Sequence, residues 1–163
     1  MKLIRVDQTI DKCGEHLSNS SAYGTEIESL LTQSLLVIMC AEFEQQIEKI
    51  IQEKHAHISD KSIKDFIGSC VGAVFRSVKS GEISGLLNRF GSCYKEAFKK
   101  RTEENERAIT YYNNIIVNRH GVAHSDGSKI TFRDAVQFYE EGHIVLDFFR
   151  EVLLSKCDTE KES

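Results

Sequence analysis

The sequence predicts a single all-α domain, a helical bundle with two or three long helices and shorter ones around them. Three observations carry that prediction. The 163 residues contain no proline, so nothing interrupts long helices. Apolar residues recur at helical spacing through most of the chain. No segment shows the period-two alternation of a half-buried strand. The length suits one domain with a real core and is short for two.

Residues 1–24 read as an N-terminal arm and loop. Positions 1–13 form a short helix or a loosely docked arm, and 14–24 are rich in Gly, Ser and Asn. Thr25 starts a long helix, with Glu28 three residues on as its capping-box partner, and the pattern continues to about His57. Two apolar stripes run along it. One holds Ile27, Leu30, Leu31, Leu35, Ile38 and Ala41; the other holds Leu36, Met39, Phe43, Ile47 and Ile50. Such a helix is expected at the centre of a bundle, packed on both sides. Glu42 falls on the first stripe, where a carboxylate needs a partner or a path to water.

Ser59 or Asp60 caps the next helix, which carries Ile63, Phe66, Ile67, Val71, Val74, Phe75 and Val78. Gly68 and Gly72, four apart, permit a close helix contact. Ser80-Gly81 breaks the pattern, and Ile83–Phe90 is a short helix ended by Gly91. Tyr94–Arg101 is a short basic piece. A second long helix runs from about Thr102 through Asn118, with Ala108, Ile109, Tyr112, Ile115 and Ile116 inward. Ser125-Asp126-Gly127-Ser128 is a turn. Thr131 and Asp134 form an N-cap pair for a last helix to about Ser155, with Ala135, Phe138, Tyr139, Gly142, Val145, Leu146, Phe149 and Leu153 facing the core. The helical domain is thus 25–156, followed by a charged, disordered tail at 157–163.

The net charge is −4, so the surface as a whole does not attract nucleic acid. From Arg76 to Arg101, however, seven basic and two acidic residues give +5, leaving −9 elsewhere (−4 − 5). Within that segment Lys95, Lys99, Lys100 and Arg101 are the candidates for holding a phosphate backbone; the alternative is a solvated helix face. Five cysteines are an odd count with no C-x-x-C pair. They predict free thiols in a reducing cytoplasm, without a disulfide frame or zinc knuckle. No apolar run is long enough to span a membrane, and no signal peptide follows Met1–Arg5.

Chemistry concentrates in Asn118-Arg119-His120-Gly121-Val122-Ala123-His124. Arginine holds phosphate with a planar fork of donors and stays charged; histidine moves protons near neutral pH. Together they suffice to cleave RNA without a metal. On an ideal helix Arg119 and His124, five apart, lie about 140° apart. They converge on one ligand if the helix ends between them or if two subunits bring copies together. Two other readings stand beside this one. Cations at a helix C-terminus favour its dipole. His120 and His124, four apart, also share a face as metal ligands do, with His143, Asp126 or Glu42 as possible third ligands but nothing to fix one.

The run Ile115-Ile116-Val117-Asn118-Arg119-His120-Gly121-Val122-Ala123-His124 resembles the signature of HEPN domains, an arginine followed by a polar residue and closed by a histidine. Ala41-Glu42-Phe43-Glu44 on the preceding two-faced helix, and the helix opened by Thr131, are similar to the RiboL-PSP-type branch. The resemblance spans roughly Thr25 to Ser155, but only the heptapeptide is specific. It implies a metal-independent endoribonuclease of toxin–antitoxin, abortive-infection or antiviral systems, working without a cofactor as a homodimer with facing motifs. It implies Arg119 as the phosphate and transition-state residue, His124 as the acid–base and His120 as the polar accessory. Asn118 and Glu42 are accessory candidates, Glu42 as an orienter of Arg119. RNA and a cognate antitoxin or regulatory protein are the expected partners, with no membrane. Some HEPN branches carry a tyrosine after the histidine as a target for nucleotide modification; Ser125-Asp126 stands there instead, so that regulation is not expected. Some members are inactive, which keeps open a non-catalytic RNA- or protein-binding module.

Overall fold

A helix with apolar residues around most of its circumference must be buried by its neighbours, and the fold is arranged around one. The computed structural model describes residues 2–56, 58–74, 79–122 and 130–155, with the backbone alone for 70–74 and 120–122. These residues form eight helices and no strand: α1 (Ile4–Asn19), α2 (Glu26–His55), α3 (Lys61–Val74), α4 (Ser80–Phe90), α5 (Ser92–Glu103), α6 (Glu106–Val122), α7 (Phe132–Gly142) and α8 (Ile144–Leu154). The all-α bundle expected from the sequence is the fold.

α2 is the axis, and α1, α6, α7 and α8 pack along it. Its buried side is Leu35, Leu36, Met39, Cys40, Phe43, Ile47, Ile50 and Ile51. Both stripes contribute to the core, Leu35 of the first being fully buried and Leu31 and Ile38 packed against it, but the burial is incomplete among the described residues. Ile27 and Leu30, from the first stripe, are 46% and 55% exposed, and Val37 beside them is 46% exposed. α3 likewise leaves Ile63 and Phe66 in solvent. Gly68 meets nothing within 4 Å among the described residues, so the close contact expected there is not seen at Gly68; the surroundings of Gly72 lie outside the described residues.

The close helix contact lies at Gly142 instead. A Cβ there would sit 2.7 Å from the Tyr112 nitrogen and 2.9 Å from its Cα, so α6 and α7 touch backbone to backbone. The two helices run antiparallel. Arg107 pairs with Glu141, and the Tyr111 and Phe138 rings stack at 5.3 Å. α7 therefore begins beside the place where α6 ends.

Residues 14–19, read from sequence as loop, are helical. α1 extends through them, and Leu3, Val6 and Leu17 are buried in the core. Gly14 does not break α1; it lies against Phe132. The long helix expected from Thr102 is divided at Glu104–Asn105 into α5 and α6, and α6 runs through Val122. The last helix is divided at His143, whose Nδ1 lies 2.9 Å from the Tyr139 carbonyl oxygen. The Thr131–Asp134 capping box forms as expected: Thr131 Oγ1 accepts from the Asp134 amide, and Asp134 Oδ2 from the Thr131 amide.

Cys93 is disulfide-bonded and Cys13 and Cys40 are free, which corrects the expectation of five free thiols. No helix among the described residues is long and apolar enough to cross a membrane.

Candidate functional site

One end of the bundle gathers the C-terminus of α6, the N-terminus of α7 and the N-terminal third of α2. Glu28 ties these pieces together. Its Oε2 accepts from the Gly24 amide at 2.6 Å and its Oε1 from the Phe132 amide at 3.0 Å. The expected capping box with Thr25 does not form; the Thr25 hydroxyl donates to the Ala22 carbonyl. Glu28 instead satisfies an orphan amide in the first turn of α7, where a negative charge is favoured. The carboxylate is buried, and this bond fixes the start of α7 against α2.

Arg119 rises from α6 at this end. It stands seven residues after Tyr112, two turns along the same face. Tyr112 is fully buried and stacks on Phe43 with ring centroids 5.1 Å apart. About 10 Å further along α6, at 1.5 Å per residue, Arg119 looks onto α2 near Cys40. Burial pushes the Cys40 thiol up to about 12, while the Arg119 charge pulls it down and Glu44 pushes it up. The thiol stays protonated at neutral pH and is no nucleophile. Burial, with Cys40 and Glu44, raises the Tyr112 phenol well above its usual range. The Tyr112 hydroxyl has no hydrogen-bond partner among the described residues.

Glu42 does not orient Arg119. Residues two apart on a helix differ by about 200°, so Glu42 points away from the side where Cys40 meets Arg119. It faces α1, and its Oε1 accepts from Arg5 Nη1 at 3.2 Å. Arg119 itself is half-buried and makes no ion pair or hydrogen bond among the described residues. Asn118, beside it, donates to the Asn114 carbonyl at 2.8 Å. The His120 backbone is helical; its side chain, and the whole of His124, lie outside the described residues, as does Asp126.

The basic residues of α5 are elsewhere. Lys99, Lys100 and Arg101 lie at the end of α5 that leads into the start of α6. Arg119 is thirteen residues past Glu106, about 20 Å along the α6 axis. Lys99 pairs with Glu103 at 3.6 Å and Arg101 with Glu151 at 2.9 Å; Lys95 and Lys100 are exposed. No group of three His, Cys, Asp or Glu side chains among the described residues can hold a metal ion.

Sequence reading did not single out Glu28 as a tie between helices, nor Tyr23 and Arg133, which stand at the same end. The Arg133 guanidinium lies over the Tyr23 ring, 5.8 Å from its centroid. Nothing in the spacing signals these pairs, because they join segments more than a hundred residues apart.

The family model RiboL-PSP-HEPN matches residues 2–155. No curated protein matches the chain, and no solved structure does.

Proposed function

The chain belongs to the RiboL-PSP-HEPN family, and from that premise we propose that it is a metal-independent endoribonuclease whose site is built from Arg119 and His124, with His120 and Asn118 as accessories. The observation that carries this reading is Arg119 itself. It sits at the end of the motif helix with its charge uncommitted among the described residues, while Arg5, Arg101, Arg107 and Arg150 are each held by a carboxylate.

In the reaction the RNA 2′-oxygen attacks phosphorus and the bond to the 5′-oxygen breaks. His124 accepts the 2′-hydroxyl proton or donates one to the leaving 5′-oxygen. Arg119 stabilises the charge that gathers on the non-bridging oxygens. The products are a 2′,3′-cyclic phosphate and a free 5′-hydroxyl. A homodimer supplies two histidines, one for each transfer. The exposed Ile27, Leu30 and Val37 on α2 offer apolar side chains that a second copy could cover. Lys95, Lys99, Lys100 and Arg101 would hold the backbone of a longer RNA. A defence role, with a cognate antitoxin or regulatory protein as partner, completes the proposal and is suggested by the family resemblance.

The test is RNA cleavage by purified protein in EDTA, with end-group analysis and with DNA as the inert control. Sedimentation at micromolar concentration tests the dimer; a stable monomer would contradict a shared site.

A second reading is a non-catalytic binding module. The exposed apolar residues of α3, with Phe66 68% exposed, favour it, because such a face is made for a partner. Wild-type protein that binds RNA or protein and never cuts would establish it.

A further inference from the structure

We propose that the groove between α1 and α7 is a nucleobase subsite, in which Tyr23 stacks a base and Arg133 holds the adjoining phosphate; this rests on the ribonuclease reading only for its biological meaning. The groove measures about 390 Å³ and is lined by Ile10, Gly14, Tyr23, Phe132, Arg133 and Val136, with carboxylates and an amide along its rim. It holds two aromatic rings, Tyr23 and the buried Phe132, and one cation set among the Asp11, Glu15 and Glu140 carboxylates; an exposed ring beside a cation is the pairing a single-stranded nucleotide uses.

The groove lies at the same end of the bundle as Arg119. Tyr111 and Phe138 mark a common level on α6 and α7. From there Arg119 lies about 12 Å along α6, and Arg133 about 7.5 Å in the same direction along α7, so the two cations stand within about 5 Å of one level along the bundle. Two other clefts, one lined by Lys100, Arg101 and Glu151 and one by Glu106, Arg107 and Glu141, lie at the opposite end.

The residues favour this ligand chemically. Arg133 lies over Tyr23, yet the residue stays 41% exposed. Arg133 has no carboxylate partner among the described residues, so its donors are available to phosphate. Asp11, Glu15 and Glu140 offer acceptors only. They select a base with donors on its pairing edge, and guanine, with a ring N–H beside an exocyclic amine, fits best.

Nucleoside monophosphates contain no internucleotide bond, so their binding is independent of cleavage. Amide NMR titration of the full chain with guanosine 5′-monophosphate should shift Gly14, Tyr23 and Val136, with weaker shifts from uridine 5′-monophosphate. Tyr23→Ala should weaken guanosine monophosphate about 5- to 150-fold, the size of one base–aromatic stack, and Tyr23→Phe should retain it. Arg133→Ala should weaken the nucleotide and leave the nucleoside guanosine unchanged. Absence of shifts in the groove, or a Tyr23→Ala protein of wild-type affinity and thermal stability, overturns the subsite. If RNA is cut and Arg119→Ala abolishes cutting while no nucleotide enters the groove, the subsite falls and the ribonuclease reading stands. If the nucleotide binds as described to a protein that never cuts RNA, the subsite stands and that reading falls.

Discussion

The two ends of the bundle treat their arginines differently. At the end where α5 gives way to α6, cations are held: Arg101 by Glu151, Arg107 by Glu141, and, on the neighbouring surface of α8, Arg150 by Glu53. At the end where α6 stops and α7 starts, Arg119 and Arg133 have no carboxylate partner among the described residues, and the buried carboxylate there, Glu28, is occupied by backbone amides. Arg89 on α4 stands outside this division, exposed and also without a carboxylate partner among the described residues. A paired arginine fastens helices; an unpaired one keeps its full field for a ligand. The ionic surface of the first end contributes little stability, because exposed pairs are screened by solvent. The second end is where the proposed chemistry would lie.

The largest effect should come from removing the uncommitted charge and its proton carrier. Arg119→Ala should lower cleavage on the order of 10²–10³-fold, by analogy with loss of a transition-state donor. His124→Ala should lower it ~10²–10⁴-fold, the usual contribution of acid–base catalysis. Arg119→Ala should leave the circular dichroism helical, since no bond to a described residue is lost. Arg107→Ala, at the other end, should retain cleavage. If Arg107→Ala is as damaging as Arg119→Ala, the contrast between the ends has no functional content. Cleavage lost in EDTA and restored by a divalent ion would favour a metal held by His120 and His124.

Next comes the contact that sets α7 against α6. A methyl at position 142 would press on the Tyr112 backbone, which cannot turn aside as a side chain could. Gly142→Ala should destabilise the fold by about 1–3 kcal/mol, the usual cost of overpacking, read as a lower denaturant midpoint. Gly68→Ala, with open space around it, should be neutral or slightly stabilising, because alanine favours the helix by about 1 kcal/mol. Equal effects at the two glycines would show that α6 and α7 do not meet closely.

The third effect concerns Glu28. Glu28→Ala leaves the Gly24 and Phe132 amides without their acceptor, at a cost of about 1–3 kcal/mol. Cleavage should fall beyond what the loss of stability explains, because the bond fixes the start of α7 beside the motif. A variant that is destabilised but fully active per folded molecule would make Glu28 a structural tie alone.

These contacts divide what the sequence discloses from what it hides. The Thr131–Asp134 box and the inward face of α6 were legible, because both are set within one or two helical turns. α1 was not. Its loop-like Gly14 and Ser18-Asn19 are carried by tertiary burial of Leu3, Val6 and Leu17, which overrides local propensity. Glu28 fitted a local capping pattern, yet its carboxylate is taken by an amide 104 residues away. Glu42 was recognised as needing a partner, but Arg5, 37 residues distant, leaves no mark in the spacing. At the site, the arginine was legible as chemistry and its neighbour Cys40 was not.

The smallest effect separates the two ends as RNA surfaces. Lys99 and Lys100 are exposed on α5, and Lys99 faces Glu103. If they hold the backbone of a longer RNA, Lys99→Glu with Lys100→Glu should weaken binding a few-fold. The slope of log affinity against log salt should flatten by about 0.7 for each single-strand phosphate released. Stability should scarcely change, since exposed charges contribute well under about 1 kcal/mol. The comparison sharpens with RNA length. A strand confined to the motif end cannot reach residues about 20 Å down the bundle, so a short RNA should ignore the double reversal while a long one responds. Equal loss for short and long RNA would point to a general field effect of four units of charge. Loss for neither would assign the backbone to the motif end, with Arg119 and Arg133 as its cations.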